Sequence, residues 1–254
     1  MRLTSAVTVL TAAVLLTAVG CTSDPAPAAG PSAGPNAAEL VTKAADALRS
    51  GRSATVDFEA KKGNTSYTGT LSVDADGNCT GRFEKTGRPL GIGTVEVVRT
   101  PQGGWYRADR SVYETSSLER VWERHGDKYV TGDGAEGLFD GGGLCRSIGY
   151  FFNPEADLLN TEGAVLLGPR TVGGQEGVAV SLPGKVASSE GTVEVVVGKG
   201  EKPVLLQRTA SADAVGNTFT FRDHGRPVTP AVPPAERTVD EHTLLVDAGI
   251  FKQG

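Results

Sequence analysis

Alternation of apolar and polar residues identifies most of the chain as β-structure. Ala54, Val56 and Phe58 alternate with polar residues, as expected of a strand with one buried face. The same period of two occurs in YTGTLSVD and CTGRFEK, and GTVEVVRT and GWYRAD extend the pattern. Later strands are predicted over AVLLG, GVAVSLP, GTVEVVVGKG, PVLLQRTAS and NTFTFRD, where Val193, Val195 and Val197 share one face, as do Phe219 and Phe221. Turns rich in glycine, proline and aspartate separate these segments. The pattern predicts a large antiparallel meander, polar on one face and covered on the other.

Short helical patterns interrupt the strands. The apolar stripe of NAAELVTKAADALRSG predicts a helix with Asn36 as its N-cap and Gly51 as a left-handed stop. SSLERVWERHG predicts a second helix capped by Ser116, and a third is predicted to start near Pro154. HTLLVDAGIF is predicted as a terminal strand or a loosely packed tail. The fold class is therefore α+β.

The N-terminus has the pattern of a lipoprotein export signal. An apolar run follows Arg2 and ends in the small residues before Cys21, and it is short for a membrane-spanning helix. We expect a signal peptide over residues 1–20 and lipidation of Cys21. Residues 21–35 lack large apolar side chains and are predicted to be a flexible tether, which reaches roughly 45 Å when extended.

The domain boundaries follow from these segments. After the tether, residues 36–240 are long enough for one domain with a substantial core, and residues 241–254 form a C-terminal tail. The formal net charge of −5 becomes −6 when the signal peptide removes Arg2. Because no cluster of Lys and Arg occurs, the charge pattern argues against nucleic-acid binding.

The two remaining cysteines form an even pair in an exported protein. With Cys21 acylated, Cys79 and Cys145 are predicted to form a disulfide, since the compartment permits oxidation. The alternative is two buried free thiols. No Cys-x-x-Cys or His-x-x-x-His spacing supports a zinc site, so we expect no metal.

Catalytic motifs are weak. His125, His224 and His242 do not adjoin a recognisable nucleophile elbow. The glycines from Gly132 to Gly137 satisfy G-x-G-x-x-G but do not join a parallel strand to a crossover helix. We therefore expect neither an enzyme nor a cofactor.

The order of these segments resembles the LolA/LolB-like lipoproteins, in particular the LppX/LprG-type branch of high-GC Gram-positive bacteria. The residues that carry the resemblance are ALRSGRSATVDFEA, VWERHGDKYV, TVGGQEGVAVSLP, KPVLLQ and FRDHGRPVTPAVPPA. The resemblance implies a half-barrel, a strongly curved and half-open antiparallel sheet. Short helices then cover its concave face and leave an apolar cavity for acyl chains.

The expected function is that of a binding protein. We expect a lipoprotein, anchored on the extracytoplasmic face of the cell membrane, that holds a lipid or another hydrophobic ligand as a carrier or chaperone. An alternative is a scaffold or sensor accessory that binds an envelope protein without a lipid. The residues predicted to line the cavity are Val56, Phe58, Leu71, Val73, Phe83, Val95, Val97, Val193, Val195, Leu205, Phe219 and Phe221. A fully packed core is the alternative for the same residues.

Overall fold

The computed structural model describes residues 36–87, 92–114, 118–132, 135, 139, 141–153, 159–186, 189–212 and 215–250. All of them belong to one compact unit, Pro35–Gly254. The predictions for the signal peptide, the lipidated Cys21 and the tether lie outside the described residues. The same holds for the Ser116 cap and the helix start at Pro154.

The first helix, α1 (Ala37–Gly51), begins as predicted and ends one residue later. The Asn36 side chain accepts a hydrogen bond from the backbone N–H of Glu39 at 2.7 Å. Gly51 is still helical, so its prediction as the left-handed stop was wrong, and Arg52 takes that conformation with φ 60°. The N–H of Arg52 bonds back to the last turn of the helix, and its guanidinium pairs with Asp76.

The described residues form twelve strands of a single sheet. The first group is β1 (Ser53–Lys62), β2 (Thr65–Asp74), β3 (Cys79–Thr86), β4 (Gly93–Thr100), β5 (Gly103–Ala108) and β6 (Tyr129–Thr131). The second group is β7 (Val165–Val172), β8 (Gln175–Val186), β9 (Ser189–Gly198), β10 (Leu205–Ala212), β11 (Val215–Arg222) and β12 (Thr238–Asp240). Each segment with the period of two is a strand.

The sheet consists of two meanders joined by one long-range pairing. The strand order is β12-β6-β5-β4-β3-β2-β1-β11-β10-β9-β8-β7, which leaves the sheet open. Antiparallel pairing of β1 with β11 joins the meanders, with Phe58 opposite Phe219. Only β12 with β6 is a parallel pair among the described strands. The α+β prediction of a large antiparallel sheet covered by short helices is confirmed.

Four further helices accompany the sheet in the described part of the chain. They are α2 (Arg110–Glu114), α3 (Glu119–His125), α4 (Gly141–Gly149) and α5 (Glu241–Asp247), and a 3₁₀ turn, Tyr150–Phe152, follows α4. The sequence did not predict α4, because three glycines start it and give no capping signal.

The C-terminal segment differs from its prediction as a strand or loose tail. It forms α5 because the Asp240 side chain caps the helix, accepting from the N–H of His242 at 2.8 Å. Leu244 of this helix is fully buried in the main core.

The core lies between one face of the sheet, called here the covered face, and helices α1 and α4. Val41 and Leu48 of α1 and Ile148 of α4 belong to the same apolar cluster as the inward residues of the strands. Gly69 lies between Phe58 and Phe83 across the ladder, and a Cβ there would stand 2.6 Å from the Phe83 backbone. The missing side chain lets the two rings approach to 6.5 Å between centroids.

Within the described chain, no helix is both long and apolar enough to cross a bilayer.

Candidate ligand-binding cleft

The twelve predicted cavity residues lie together on the covered face. Each is at most 6% exposed, and all belong to one continuous core cluster. Helix α1 and the 3₁₀ turn contribute Leu48 and Phe151 to that cluster. The residues therefore meet one another as packed core, and their contact with a ligand stays a prediction.

Open space occurs at the end of the same face. A solvent-open cleft of about 500 Å³ is lined by the terminal residues of four adjacent strands, β2, β1, β11 and β10. By strand register, six of the fourteen lining residues share the face of the core: Ala60, Tyr67, Ala210, Ala212, Val215 and Asn217. The other eight alternate with them on the outer face of the strand ends: Glu59, Lys61, Ser66, Thr68, Thr209, Ser211, Gly216 and Thr218. Three of these, Tyr67, Ala212 and Val215, pack directly against the main core cluster. The cleft is therefore continuous with the apolar interior.

Side-chain size explains why the space is there. The core face of β1 carries Phe58 and then Ala60, and that of β11 carries Phe221, Phe219 and then Asn217. Large rings thus fill the middle of the covered face, whereas small or short side chains occupy its end. Because a folded interior is otherwise close-packed, this step in size leaves room at the strand ends.

Arg208 enters the covered face through an irregularity in β10. Strict alternation from Leu205 would place Arg208 on the outer face of the sheet. A β-bulge between Leu205 and Gln207 inserts Leu206 as an extra residue, so that Arg208 lies opposite Val195 of the core. Arg208 is not among the predicted site residues, since only the consecutive apolar pair Leu205-Leu206 signals a break in the alternation.

The surroundings of the Arg208 guanidinium are mostly apolar. Nη1 donates a hydrogen bond to Oδ1 of Asn217 at 2.9 Å. The guanidinium carbon lies 5.7 Å from the centroid of the Phe151 ring. Nε is buried and has no hydrogen-bond partner. Burial lowers the pKa of Arg208, because removal from water disfavours the charged form.

A second cation, Lys85, lies on the same face. It follows Phe83 with the period of two in β3, so the alternation itself gave a signal for its inward position. Lys85 is only 3% exposed, and its Nζ lies 5.7 Å from the centroid of the Tyr67 ring, which lines the cleft. The covered face near the cleft is therefore apolar with two cations, the buried Lys85 and the half-buried Arg208, whose Nε atom is shielded from solvent.

The predicted disulfide is present in the structure. Cys79 of β3 and Cys145 of α4 are bonded, with 6.0 Å between their Cα atoms. The bond ties α4 to the covered face of the sheet. A smaller cleft of about 220 Å³ adjoins it, and Val73 is the one predicted cavity residue in the lining of that cleft.

The outer face of the sheet carries paired polar side chains around Glu96 and Asp57, whereas Ala179, Val196 and Leu206 form a small apolar cluster on it. Glu96 accepts hydrogen bonds from Arg107 and from the Tyr129 hydroxyl, the latter at 2.6 Å. Burial alone would raise the pKa of Glu96, but these two hydrogen bonds outweigh it and leave the pKa below its ordinary value. Asp57 is held by Arg222 in the same manner, so these carboxylates serve as structural ion pairs.

The described histidines do not form a catalytic arrangement with a nucleophile. His125 Nε2 lies 2.8 Å from Oδ2 of Asp247, and its Nδ1 is buried without a partner. His224 is half-buried, and its partial removal from water lowers its pKa. The described residues contain no cluster of three or more potential metal ligands.

Comparison with known proteins identifies the fold. No protein-family model matches the sequence, and no curated protein matches it. The structure of LprF from Mycobacterium bovis aligns with a TM-score of 0.55 and 15% identity, over 80% of this chain and 99% of that chain. The Mycobacterium tuberculosis lipoprotein LppX aligns with a TM-score of 0.42 and 10% identity, over 76% of this chain and 97% of that chain.

A third match is MucB in complex with MucA(peri), with a TM-score of 0.33 and 14% identity, over 79% of this chain and 58% of that chain. Of the three, only the likeness to LprF is strong enough to define the fold. This chain has the fold of Mycobacterium bovis LprF, which confirms the LolA-like fold of LppX/LprG type inferred from the sequence.

Proposed function

We propose that this protein is a lipid-anchored lipoprotein of the cell envelope that binds a lipid or another apolar ligand at the covered face of its sheet. It acts as a carrier or chaperone and catalyses no reaction. The observation that carries the proposal is the open cleft of about 500 Å³ that is continuous with the apolar core. The likeness to LprF supports it at the level of the fold.

The size and lining of the cleft suit a hydrocarbon ligand. Its volume lies within the range of about 300–1,000 Å³ that is usual for small-molecule sites. Burial of hydrocarbon contributes roughly 0.8 kcal/mol per methylene. Affinity then rises about fourfold for each methylene buried, until the chain fills the space.

Longer chains require space that the core now occupies. Helix α4 is tied to β3 by the Cys79–Cys145 bond. In contrast, α1 contributes Val41, Ala44 and Leu48 to the core cluster and, among the described residues, is joined to the sheet by the peptide chain at Arg52 and by no disulfide. Separation of α1 from the sheet is therefore the less costly way to extend the cleft toward the twelve predicted residues.

Native mass spectrometry of the gently purified protein, with analysis of extracted lipid, tests the binding function. We expect one bound lipid per chain in the wild type. Ala60, in the central strand of the cleft, is half-buried, so Ala60→Phe fills space and lowers the bound fraction. The matched control is Ala235→Phe, which adds the same ring at an exposed position outside the cleft. Lipid-free wild-type protein that captures one envelope protein would instead support the scaffold function.

The anchor is tested separately through Cys21. We expect Cys21→Ala to release the protein from the membrane fraction, because the acylated thiol is the proposed attachment. The double variant Cys79→Ala/Cys145→Ala controls for the general loss of cysteine and stays membrane-bound. Retention in the membrane of a Cys21→Ala protein whose signal peptide has been removed, as shown by its intact mass, would overturn the anchor.

A further inference from the structure

The covered face holds a guanidinium without a counter-ion among the described residues. Arg208 is bonded to a neutral amide oxygen, that of Asn217, and lies against the Phe151 ring. No described carboxylate contacts it, and burial is the sole influence on its pKa. A buried cation is unfavourable unless it is paired, and arginine does not escape the cost by losing its proton.

The unused edge of this guanidinium is the one that binds oxyanions. Asn217 occupies Nη1, which leaves Nε and Nη2 on the opposite side. Arg222 of the neighbouring strand β11 uses this same edge, because its Nε and Nη2 bond the two carboxylate oxygens of Asp57 at 2.9 and 3.2 Å. Two parallel hydrogen bonds of this kind are a strong and geometrically specific interaction with a carboxylate or phosphate.

The cleft leads to this edge. Arg208 is not in the lining of the cleft, but two residues near it are: Asn217, which accepts its hydrogen bond, and Ala210, which lies two positions further along β10 on the same face. Nε itself is shielded from solvent, so an anion reaches it only if side chains around the guanidinium shift, and the Phe151 ring is one of these neighbours. Phe151 belongs to the short 3₁₀ turn after α4 rather than to a strand, and a shift there breaks no sheet hydrogen bond.

From this geometry we infer that Arg208 is the headgroup site of the cavity and that the ligand is an anionic amphiphile. Its carboxylate or phosphate pairs with Nε and Nη2, and its hydrocarbon chain lies along the apolar covered face. This inference rests on the proposed function, since it names the chemical class of the ligand that the cleft binds.

A comparison of charged and neutral ligands with the same chain tests the inference on the wild-type protein. The ligands are oleate, oleoyl lysophosphatidic acid and methyl oleate, titrated against the delipidated protein by displacement of a fluorescent apolar probe. We expect at least one anionic ligand to bind about tenfold more tightly than the ester, because only the anion pairs with Arg208. The anion that binds more tightly identifies the headgroup as carboxylate or phosphate.

The outcomes separate the two proposals. Binding of none of the three ligands would overturn the proposed function and the inference with it. Equal binding of the ester and both anions would leave the proposed function standing and overturn the role of Arg208.

Substitution of single arginines tests whether Arg208 causes the preference for anionic ligands. Arg208→Gln is expected to abolish the preference for the anion and to leave the affinity for methyl oleate within about twofold. Arg222→Gln, which removes an arginine from the outer face of the next strand, is the matched control and keeps the preference. Retention of the preference in Arg208→Gln would overturn the inference.

Stability of the ligand-free protein gives a second readout. Replacement of an unpaired buried cation by an apolar side chain of similar length relieves its desolvation cost. Arg208→Met is therefore expected to raise the urea midpoint of the delipidated protein. A lower midpoint would show that Arg208 is held for structural reasons and would contradict the inference.

Discussion

Reduction of the Cys79–Cys145 bond is expected to destabilise the protein strongly. The bond joins two cysteines 66 positions apart in the sequence. In the chain-entropy model, closing a loop of this length restricts the unfolded chain by about 4 kcal/mol at 25 °C. Both cysteines are almost completely buried in the core, so the bond also holds α4 against β3 in the native state.

The expected loss is large enough to measure by urea unfolding. With a denaturant slope of about 2–3 kcal/mol per molar, the midpoint falls by roughly 1.5–2 M on reduction. The oxidised protein and a sample reduced in denaturant and refolded under reductant are compared by circular dichroism. Thiol titration confirms the redox state of each sample.

The reduced wild type is the cleaner comparison, because it keeps both sulfur atoms in the core. The double variant Cys79→Ala/Cys145→Ala also loses their packing and is expected to unfold at a lower urea concentration still. Equal midpoints of the oxidised and reduced proteins would refute the reasoning. Two titratable thiols in the protein as purified would refute the bond itself.

Two further predictions concern packing and charge. Leu48→Ala in α1 is expected to lower the free energy of unfolding by about 2–5 kcal/mol, because Leu48 is only 1% exposed. The control, Leu166→Ala on the edge strand β7, is expected to lower it by less than about 1 kcal/mol, because Leu166 is 49% exposed. Equal losses in urea unfolding would contradict the assignment of Leu48 to the core. The hydrogen bond from Arg222 holds the pKa of Asp57 below its ordinary value of 3.8, against the effect of burial and with help from Thr70. A pKa that is lower in the folded than in the unfolded protein stabilises the fold at pH values above the unfolded-state pKa, and this stabilisation is lost as the pH falls through the folded-state pKa. Asp57→Asn is therefore expected to lower the stability at pH 7 and to differ less from the wild type at about pH 3. A difference that stays constant between these two pH values would argue against the ion pair.

Local sequence patterns determined the individual elements. Each strand predicted from the period of two is present, because alternation directly reports a strand with one buried face. The start of α1 was predictable because Asn36 supplies its own cap within three residues. The even number of cysteines in a predicted export context also sufficed to anticipate the Cys79–Cys145 bond.

Elements without a local signal were missed or wrongly assigned. Helix α4 starts with three glycines, which are poor helix formers, and its stability comes from Cys145 and Ile148 in the core. Helix α5 looked like a strand or tail because its apolar residues Leu244, Leu245 and Val246 are consecutive and show no helical spacing. Its capping by Asp240 and the burial of Leu244 became evident only in the folded chain.

The sequence by itself therefore determined the sheet-forming segments, the first helix and the predicted lipoprotein N-terminus. The tertiary structure decided where the empty space lies. The pairing of β1 with β11 places the small residues of both meanders side by side, which makes the cleft at their common end. The bulge in β10 turns Arg208 inward. The pairing has no local signature, and the bulge has only the consecutive pair Leu205-Leu206. Strand pairing between distant segments and a one-residue register shift depend on how the whole sheet fits over its core.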